Sequence, residues 1–487
     1  MFISEISKII TKRLIAGGNT EFLLDEDNRT INYSELQVRC DGFKSWLHSI
    51  CPHIINQPIA VWGDKNTALV SFVFAILNTE NGYLPINPEW PAVRIQFILK
   101  HSGLQGCIIE NKYLPKASEV LNTVTSYEEH IINEDYTFIK TNLPARVYPK
   151  NLAYILFTSG STGFPKGIVH CSDSMTAFLK WCNKEFLKYK ISRFVSVAPL
   201  NFDLSVFDLF FPLSAKKQLY LPKQNSISNT RLFSKYISVN KIEALYTTPS
   251  YLKLLLQTGQ LTKYDFKFVK LILIAGEQLS YDLVKELKKH FKKAAFYNLY
   301  GPTETNVCTY HKIDFGKVKA KDINVPIGKP CYTTHVKLNK SSELTYKGKL
   351  LMKATIDEYG VQILKVSTVY NTGDKVKKLS NGNLEFVGRG DSMIKRNGFR
   401  IELSEIKNTL MDFGRISNCE VIAIDNPKIE IIAFVESATE ISELQLRTFI
   451  LSKLPSYMLP DSIIVMEKFP MSLNHKVDIQ KLKENFI

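Results

Sequence analysis

Residues 154–167 carry the groups that bind a phosphate, in the order YILFTSGSTGFPKG. Glycine lets the backbone approach a ligand closely and turns successive N–H groups toward an anion. The Ser and Thr hydroxyls add donors, and Lys166 adds a positive charge. Gly160 and Gly163 do not have the spacing of the Walker pattern G-x-x-x-x-G-K-[ST]. The segment therefore predicts a phosphate-binding loop of another kind.

A predicted hairpin brings a second pair of charged residues together. Alternating residues flank Asn381-Gly382, a dipeptide typical of a two-residue type I′ turn. If these two residues form the turn, Asp374 lies directly opposite Arg389. This pair is either an ordinary cross-strand ion pair, worth less than ~1 kcal/mol, or part of a ligand site.

The elements that must position these groups are strands alternating with helices. Such alternation predicts βαβ units and parallel sheets, with ligand groups at the carboxyl ends of strands. The phosphate-binding loop follows one of the strands and lies at such an end. The predicted strands are 153–158, 194–200, 270–276 and 294–301, and helical spacing marks 229–241, with Leu232, Phe233, Tyr236 and Ile237 on one face, and 282–293.

The composition limits the class of protein. A chain of 487 residues, 45% hydrophobic and 22% charged, is typical of a globular protein with roughly two to four domains. Charged residues interrupt the first 18 residues, which favours an amphipathic helix over a signal peptide, and no stretch reaches the roughly 18 apolar residues of a membrane helix. The eight scattered cysteines include no C-x-x-C pair, which indicates a reducing cytosol and disfavours zinc or disulfides.

The net charge of +15 allows several interpretations. The lysines are spread along the chain without a dense basic run or interleaved aromatics, which disfavours nucleic-acid binding. The charge is then either a solvated lysine-rich surface or a surface that attracts an acidic protein partner.

Seven ordered segments resemble the core motifs of the adenylate-forming (ANL) superfamily. They are most similar to the amino-acid-activating adenylation domains of nonribosomal peptide synthesis. Their order along the chain is TSGSTGFPKG (158–167), NFDLSVFD (201–208), NLYGPTET (298–305), YNTGD (370–374), GRGDSMIKRNGFRIELSEI (388–406), LPSYMLP (454–460) and NHKVD (474–478).

The resemblance implies an α/β fold in two parts. A large N-terminal domain, residues 1–389, would contain parallel βαβ sheets and a β-rich subdomain. A small mobile α+β lid domain, residues 390–487, would rotate about a hinge near Asp391. One arrangement would serve ATP-dependent formation of an acyl-adenylate and pyrophosphate. The other would move the strand after the GRGD segment to the site and admit a phosphopantetheine thiol.

The resemblance also assigns roles in binding ATP and Mg²⁺. Tyr300 would stack on adenine and Asn298 would bind its edge, while Asp374 would accept the ribose hydroxyls beside Arg389. The phosphate-binding loop would hold the β- and γ-phosphates through Thr158, Ser159, Gly160, Ser161, Thr162, Gly163 and Lys166. Gly276, Glu277 and Gly301 complete the implied nucleotide site.

The resemblance assigns three residues to the first step, formation of the acyl-adenylate. Thr303 would contact the α-phosphate, and Glu304 would hold Mg²⁺, a cation that prefers carboxylate oxygen. Lys476 would be the catalytic cation, bridging the substrate carboxylate and the nucleotide as charge develops. His475 stands where the family usually has glycine, so the backbone of this turn departs from the family pattern.

The amino-acid enzymes of the family place an aspartate, here Asp203, on the substrate's α-ammonium, whereas acyl-CoA synthetases usually lack it. Between the two charged ends of the pocket, Asp203 and Lys476, the aligned positions are apolar or weakly polar, which predicts a small to medium apolar amino acid. The set resembles that of stand-alone L-prolyl carrier-protein ligases. The aligned positions are Asp203, Leu204, Phe207, Tyr246, Leu273, Ala275, Leu299, Val307, Cys308 and Lys476.

The chain ends soon after Lys476, and the thiol is therefore expected from a separate carrier protein, acidic and bearing phosphopantetheine. We expect a cytoplasmic enzyme with no nucleic-acid or membrane partner. Alternatives are a ligase for another small amino acid such as D-alanine, an acyl- or aryl-CoA ligase, and a relative that only binds a partner.

Overall fold

The computed structural model describes residues 4–318, 323–331, 334–390, 392–425, 429–470, 477 and 479–486. The helices are α1 (Glu5–Gly17), α2 (Tyr33–Ile50), α3 (Thr67–Asn78), α4 (Ala92–Ser102), α5 (Leu114–Asn122), α6 (Ser172–Phe186), α7 (Leu204–Ala215), α8 (Gln224–Ser228), α9 (Thr230–Val239), α10 (Pro249–Thr258), α11 (Tyr281–His290), α12 (Leu403–Met411), α13 (Glu443–Lys453) and α14 (Ile479–Phe486).

The first strands along the chain are β1 (Glu21–Asp25), β2 (Thr30–Asn32), β3 (Pro58–Trp62), β4 (Gly82–Ile86), β5 (Gly106–Glu110), β6 (Tyr127–Ile131), β7 (Tyr136–Thr141), β8 (Leu152–Thr158), β9 (Lys166–Cys171), β10 (Arg193–Val195), β11 (Gln218–Leu221), β12 (Ala244–Thr247), β13 (Leu271–Ile274), β14 (Ala295–Tyr300), β15 (Thr309–Lys312) and β16 (Lys329–Pro330). The later strands are β17 (Thr334–Leu338), β18 (Glu343–Gly348), β19 (Ala354–Asp357), β20 (Gly360–Ile363), β21 (Tyr370–Lys378), β22 (Leu384–Arg389), β23 (Met393–Arg396), β24 (Phe399–Glu402), β25 (Asn418–Asp425), β26 (Ile429–Glu436) and β27 (Ser462–Met466).

Two nine-stranded sheets form the larger part of the molecule. One has the order β16-β15-β14-β13-β12-β10-β11-β1-β2, and the other has the order β20-β19-β9-β8-β4-β3-β5-β7-β6. Strands β10 to β14 pair in parallel, as do β3 with β4 and β5, while the outer strands are antiparallel. The four-stranded antiparallel sheet β17-β18-β21-β22 is the β-rich subdomain. The α/β fold predicted from the sequence is confirmed.

Local sequence explains most of the elements around the site. The predicted strands and helices are all present, although β10 ends at Val195 rather than at residue 200. Beyond Val195, the Lys65 ammonium donates hydrogen bonds to the carbonyls of Ser196 and Ala198, each at 2.8 Å. These carbonyls are therefore bound to a side chain and not to a neighbouring strand, and β10 ends early. Helix α9 buries Phe233 and Ile237, but Leu232, predicted on the same face, is 48% exposed.

The phosphate-binding loop connects two antiparallel strands, not a strand and a helix. Thr158 at the end of β8 lies opposite Lys166 at the start of β9. The loop follows the carboxyl end of β8, as predicted, and the chain then reverses within residues 159–165 and returns alongside β8.

The hairpin of β21 and β22 does pair Asp374 with Arg389, as predicted, but with a different turn. Leu379 pairs with Asn383 across a three-residue loop, and Gly382 has a φ of 80° whereas Asn381 does not have a positive φ. A type I′ turn needs a positive φ at both central residues, so the predicted turn is wrong. Val387 is the extra residue of a bulge in β22, and it restores the predicted pairing.

The C-terminal region has a hydrophobic core of its own. Helices α12 and α13 and strands β24 to β27 contribute to one cluster, in which Ile406, Leu446 and Met458 are fully buried. Strands β23 and β24 form a separate hairpin that lies against the larger part of the molecule. Among the described residues, no helix has the length and apolar character needed to cross a bilayer.

Candidate active site

A cavity joins the phosphate-binding loop to Asp203. Its walls come from the end of β8, the start of α7, the segments after β13 and β14 and the β23–β24 hairpin, together with Tyr246 of β12 and Tyr457. The lining residues are Leu156, Phe157, Thr158, Ser159, Asn201, Phe202, Asp203, Leu204, Tyr246, Ala275, Gly276, Gly301, Pro302, Thr303, Asn306, Val307, Met393, Lys395, Gly398, Phe399, Arg400 and Tyr457.

Asp203 is the acidic group inside this cavity. It is the residue that precedes α7, and its Oδ2 accepts a hydrogen bond from the Thr303 hydroxyl at 3.0 Å. Burial raises the pKa of the Asp203 carboxyl, and the Thr303 hydrogen bond and the charge of Lys395 oppose that rise. A carboxylate in this setting gains from a bound cation, because an ammonium group would offset the cost of burying its charge. The Thr303 hydroxyl was predicted at the α-phosphate, and here it contacts Asp203 instead.

The predicted substrate positions form two layers. Asp203, Leu204, Tyr246, Ala275 and Val307 line the cavity. The others are buried and lie outside the lining: Phe207, Leu273, Leu299 and Cys308. Phe207 supports the Tyr246 ring edge-on, with the ring centroids 5.4 Å apart, and Leu273 is the neighbour of Tyr246 in the sheet.

The residues predicted at the ribose lie together. The buried Asp374 carboxylate accepts hydrogen bonds from the Tyr300 hydroxyl and from Arg389. The Lys395 ammonium lies 5.7 Å from the centroid of the Tyr300 ring, which is the surface predicted to stack on adenine. Burial and the nearby Asp374 raise the pKa of Tyr300 well above its ordinary value, so the phenol remains protonated as the donor.

Two other predicted nucleotide residues make contacts within the protein. Asn298 donates from Nδ2 to the Pro326 carbonyl at 2.9 Å, which leaves its oxygen as the group for an adenine amino group. Glu277 accepts from the backbone and hydroxyl of Ser250 and from the backbone N–H of Gly398. Glu277 therefore holds the β23–β24 hairpin and does not line the cavity, whereas Gly276 and Gly301 do.

Glu304, the predicted metal ligand, forms an ion pair with Arg400 of β24. The two Glu304 oxygens accept from Arg400 Nη1 at 2.8 and 3.0 Å, and the Glu304 side chain is 1% exposed. Burial opposes ionisation of Glu304, but Arg400 and Lys166 outweigh it and lower its pKa to about 2. The carboxylate is therefore ionised, as a ligand of Mg²⁺ must be, and a guanidinium now neutralises it.

The C-terminal region covers the phosphate-binding loop. The Ser159 hydroxyl donates to the Arg400 carbonyl at 2.7 Å, and the Ser404 hydroxyl donates to the Ser161 carbonyl at 3.1 Å. Asn408 donates to the Thr162 carbonyl at 3.4 Å, beside Gly163 with its φ of 91°.

Sequence reasoning missed several groups at the site. Lys395 and Arg400 lie within the quoted segment 388–406, and their charge inside a motif was the available signal. His170 gave no such signal: it is buried in β9, and its Nε2 donates to the Thr303 carbonyl at 2.9 Å. Burial lowers the pKa of His170 to about 4, so the ring is neutral and positions Thr303. Asp391, His475 and Lys476 lie outside the described residues.

Comparisons with known proteins agree with this geometry. A family model described as AMP-binding enzyme matches residues 15–354. The sequence is 28% identical over 476 residues to Gramicidin S synthase 2 of Brevibacillus brevis, covering 94% of this chain and 10% of that protein. It is 27% identical over 483 residues to the L-proline–[L-prolyl-carrier protein] ligase of Pseudomonas fluorescens, covering 94% of both.

Solved structures show the same fold. The adenylation domain AlmE of Vibrio cholerae, in complex with glycyl-adenosine-5'-phosphate, matches with a TM-score of 0.82 at 21% identity, over 100% of this chain and 98% of that one. The chain spans about a tenth of the length of Gramicidin S synthase 2. Because the family model covers well over half of the sequence, and the matched region carries the phosphate-binding loop and Asp203, the chain belongs to the AMP-binding enzyme family of the ANL superfamily.

Proposed function

We propose that this protein activates a small apolar amino acid, L-proline above others, as its adenylate and transfers it to the phosphopantetheine thiol of a separate carrier protein. One observation carries the proposal: a single cavity connects the phosphate-binding loop to the buried Asp203 carboxylate. A ligand that fills both ends has a phosphate at one and a cation at the other. An amino acid being joined to ATP meets this description.

In the first half-reaction an oxygen of the amino-acid carboxylate attacks the α-phosphorus of ATP, and the bond to pyrophosphate breaks. Asp203 holds the ammonium, so that the carboxylate faces the nucleotide. Lys476 neutralises the charge that develops between them. Glu304 is the protein carboxylate suited to Mg²⁺, which supplies charge neutralisation at the phosphates when it is bound.

In the second half-reaction the carrier thiol attacks the acyl carbon and loses its proton, and AMP leaves. The arrangement of the C-terminal region suits this step. Arg400 occupies the Glu304 carboxylate where Mg²⁺ would bind, and the second step no longer needs that site because pyrophosphate has already left. We assign residues 1–389 to the fixed domain and 390–487 to the lid, which turns about Asp391 between the two steps.

Proline fits the walls around Asp203. Leu204, Ala275 and Val307 give an apolar surface, and a secondary ammonium has two N–H donors for the carboxylate. The Tyr246 phenol is buried, and it takes up space that a large aromatic side chain would need. The relative from Pseudomonas fluorescens, an L-proline ligase by name, supports the choice.

Competitive amino-acid-dependent pyrophosphate exchange tests the substrate. We expect L-proline to have the highest kcat/KM in a panel that includes glycine, D-alanine, L-valine and pipecolate. A higher kcat/KM for D-alanine would replace proline with the runner-up substrate. No exchange with any amino acid would contradict amino-acid activation as such.

The choice of thiol has its own test. An acyl- or aryl-CoA ligase would leave Asp203 without an ammonium partner, so we expect faster transfer to a carrier protein than to coenzyme A. The net charge of +15 favours an acidic carrier, and transfer is then expected to slow strongly with added salt. A transfer rate that salt does not change would remove the electrostatic part of this proposal.

A further inference from the structure

A buried ion pair connects the phosphate-binding side of the core to the C-terminal region. Arg94 on α4 donates from Nη1 to Glu405 Oε1 on α12 at 2.9 Å, and each side chain is 1% exposed. Forming a fully buried ion pair costs much desolvation, which its attraction repays only when the geometry is good. Such a pair between two parts of a molecule therefore favours one specific arrangement of them.

The second carboxylate oxygen of Glu405 is hydrogen-bonded to the phosphate-binding loop. Oε2 accepts a hydrogen bond from the Gly160 backbone N–H at 3.2 Å. This N–H belongs to the group of donors that the loop offers to an anion. The Glu405 carboxylate thus occupies a backbone donor that the sequence predicts for phosphate binding.

Arg94 keeps unused donors beside the same loop. Its Nε and Nη2 are buried and have no hydrogen-bond partner within the part of the chain that the structure describes. The guanidinium lies 5.4 Å from the Trp90 ring centroid, and Phe97, one turn further along α4, stacks on Phe164 of the loop at 5.4 Å. The Arg94 guanidinium therefore has a contact within the core, the Trp90 ring, that does not depend on Glu405.

We propose that Arg94 and Glu405 are positioning residues that make docking of the C-terminal region depend on release of pyrophosphate. This inference rests on the proposed function. Glu405 takes the Gly160 N–H only after the phosphates leave, and Arg94 attracts whichever anion is there. The first half-reaction therefore needs Arg94 but not Glu405, and the second half-reaction needs both.

The pair gives two distinct kinetic signatures. Glu405→Gln removes the charge, and we expect carrier loading from supplied aminoacyl-adenylate to fall at least about tenfold, with pyrophosphate exchange within about twofold of the wild type. Arg94→Met is expected to lower carrier loading similarly and also to raise the KM for ATP several-fold. Lys407→Gln is the matched control, since Lys407 on the same helix pairs with Glu420 inside the C-terminal region, and it should change neither step.

A physical readout tests competition with pyrophosphate directly. The natural cysteines are all buried, so labels attach selectively to introduced, exposed cysteines. The double variant with Lys100→Cys on α4 and Lys453→Cys on α13 would carry a fluorophore and a short-range quencher. We expect magnesium pyrophosphate to relieve quenching in the wild-type background. In Glu405→Gln the midpoint should shift to a lower pyrophosphate concentration, several-fold.

Loading at the wild-type rate with an unchanged midpoint in Glu405→Gln would overturn the inference, as would equal loss of both half-reactions. Failure of the proposed function has another signature. The wild type would then show no amino-acid-dependent exchange, while the response of quenching to pyrophosphate would still report on Glu405.

Discussion

The two sides of the cavity are built differently. On the core side, Asp203 precedes α7, Thr303 follows β14 and Asp374 lies in β21, and each is hydrogen-bonded to a neighbour within residues 1–389. On the other side, the C-terminal region contacts the core through ion pairs and single hydrogen bonds, such as Arg400 with Glu304, and through the packing of Phe399 on Phe202. Its contacts use the same core groups that ATP and Mg²⁺ would use. We call the core residues the permanent side of the cavity, because their contacts lie within one domain. We call the contacts of the C-terminal region the replaceable side, because ATP and Mg²⁺ would take their place.

The largest effect is expected from breaking the permanent side at Asp203. Asp203→Asn keeps the shape and an acceptor for Thr303 but removes the charge that would pair with the ammonium. We expect kcat/KM for the amino acid in pyrophosphate exchange to fall about 10²- to 10³-fold, equivalent to about 3–4 kcal/mol. Affinity for ATP, measured separately, should not change. A loss below about threefold would show that the ammonium does not bind at Asp203.

A substitution of Lys476 tests whether the replaceable side supplies different cations in the two half-reactions, Lys476 in the first and Lys395 and Arg400 in the second. Lys476→Ala should lower adenylate formation about 10²-fold, since a positioned charge at the developing anion is lost. Transfer from supplied aminoacyl-adenylate should stay near the wild-type rate. If the two steps decline in parallel, rotation of the lid does not separate them.

Gly398 tests the docked position of the β23–β24 hairpin. It has a φ of 82°, and a Cβ there would lie 2.5 Å from Thr248 Cγ2. Gly398→Ala should therefore slow carrier loading about tenfold and leave pyrophosphate exchange intact. Gly414→Ala is the matched control, because Gly414 has a φ of 78° with no atom within 4 Å of the added Cβ. Equal slowing by both variants would assign the effect to backbone strain.

The smallest effect is expected in the pH dependence of stability, through His170 on the permanent side. The pKa of His170 is lowered by burial to about 4, so the unfolded chain takes up this proton first as the pH falls. His170 therefore contributes a loss of stability of about 1 kcal/mol between pH 6.5 and pH 5.5. Chemical denaturation should show this difference between the wild type and His170→Gln, whose amide retains a donor for Thr303. Parallel pH profiles would contradict a neutral buried His170.

The permanent side could be predicted to a large extent from the sequence. Asp203 and Asp374 lie in short ordered segments, and the strands leading to the site have clear apolar runs. The Asp374–Arg389 pairing was predicted through a two-residue turn, yet it arises from a three-residue loop and a bulge at Val387. A count along two strands does not reveal two irregularities that cancel.

The replaceable side could be predicted much less well. Arg94 and Glu405 are 311 residues apart, and neither lies in a spacing pattern that connects them. Their contact depends on how the C-terminal region packs on α4 and the phosphate-binding loop, which local propensity does not determine. Lys395 and Arg400 were visible as charges inside segment 388–406, but not as partners of Tyr300 and Glu304.

The burial of all eight cysteines has a consequence for the mixed anhydride of the proposed reaction. Burial raises the pKa of each thiol, that of Cys308 behind the substrate layer to about 12. A thiol at such a pKa contains almost no thiolate at neutral pH and is a poor nucleophile. In the proposed reaction, the activated amino acid would therefore meet no reactive cysteine of the protein, and self-acylation would be avoided until the carrier thiol arrives.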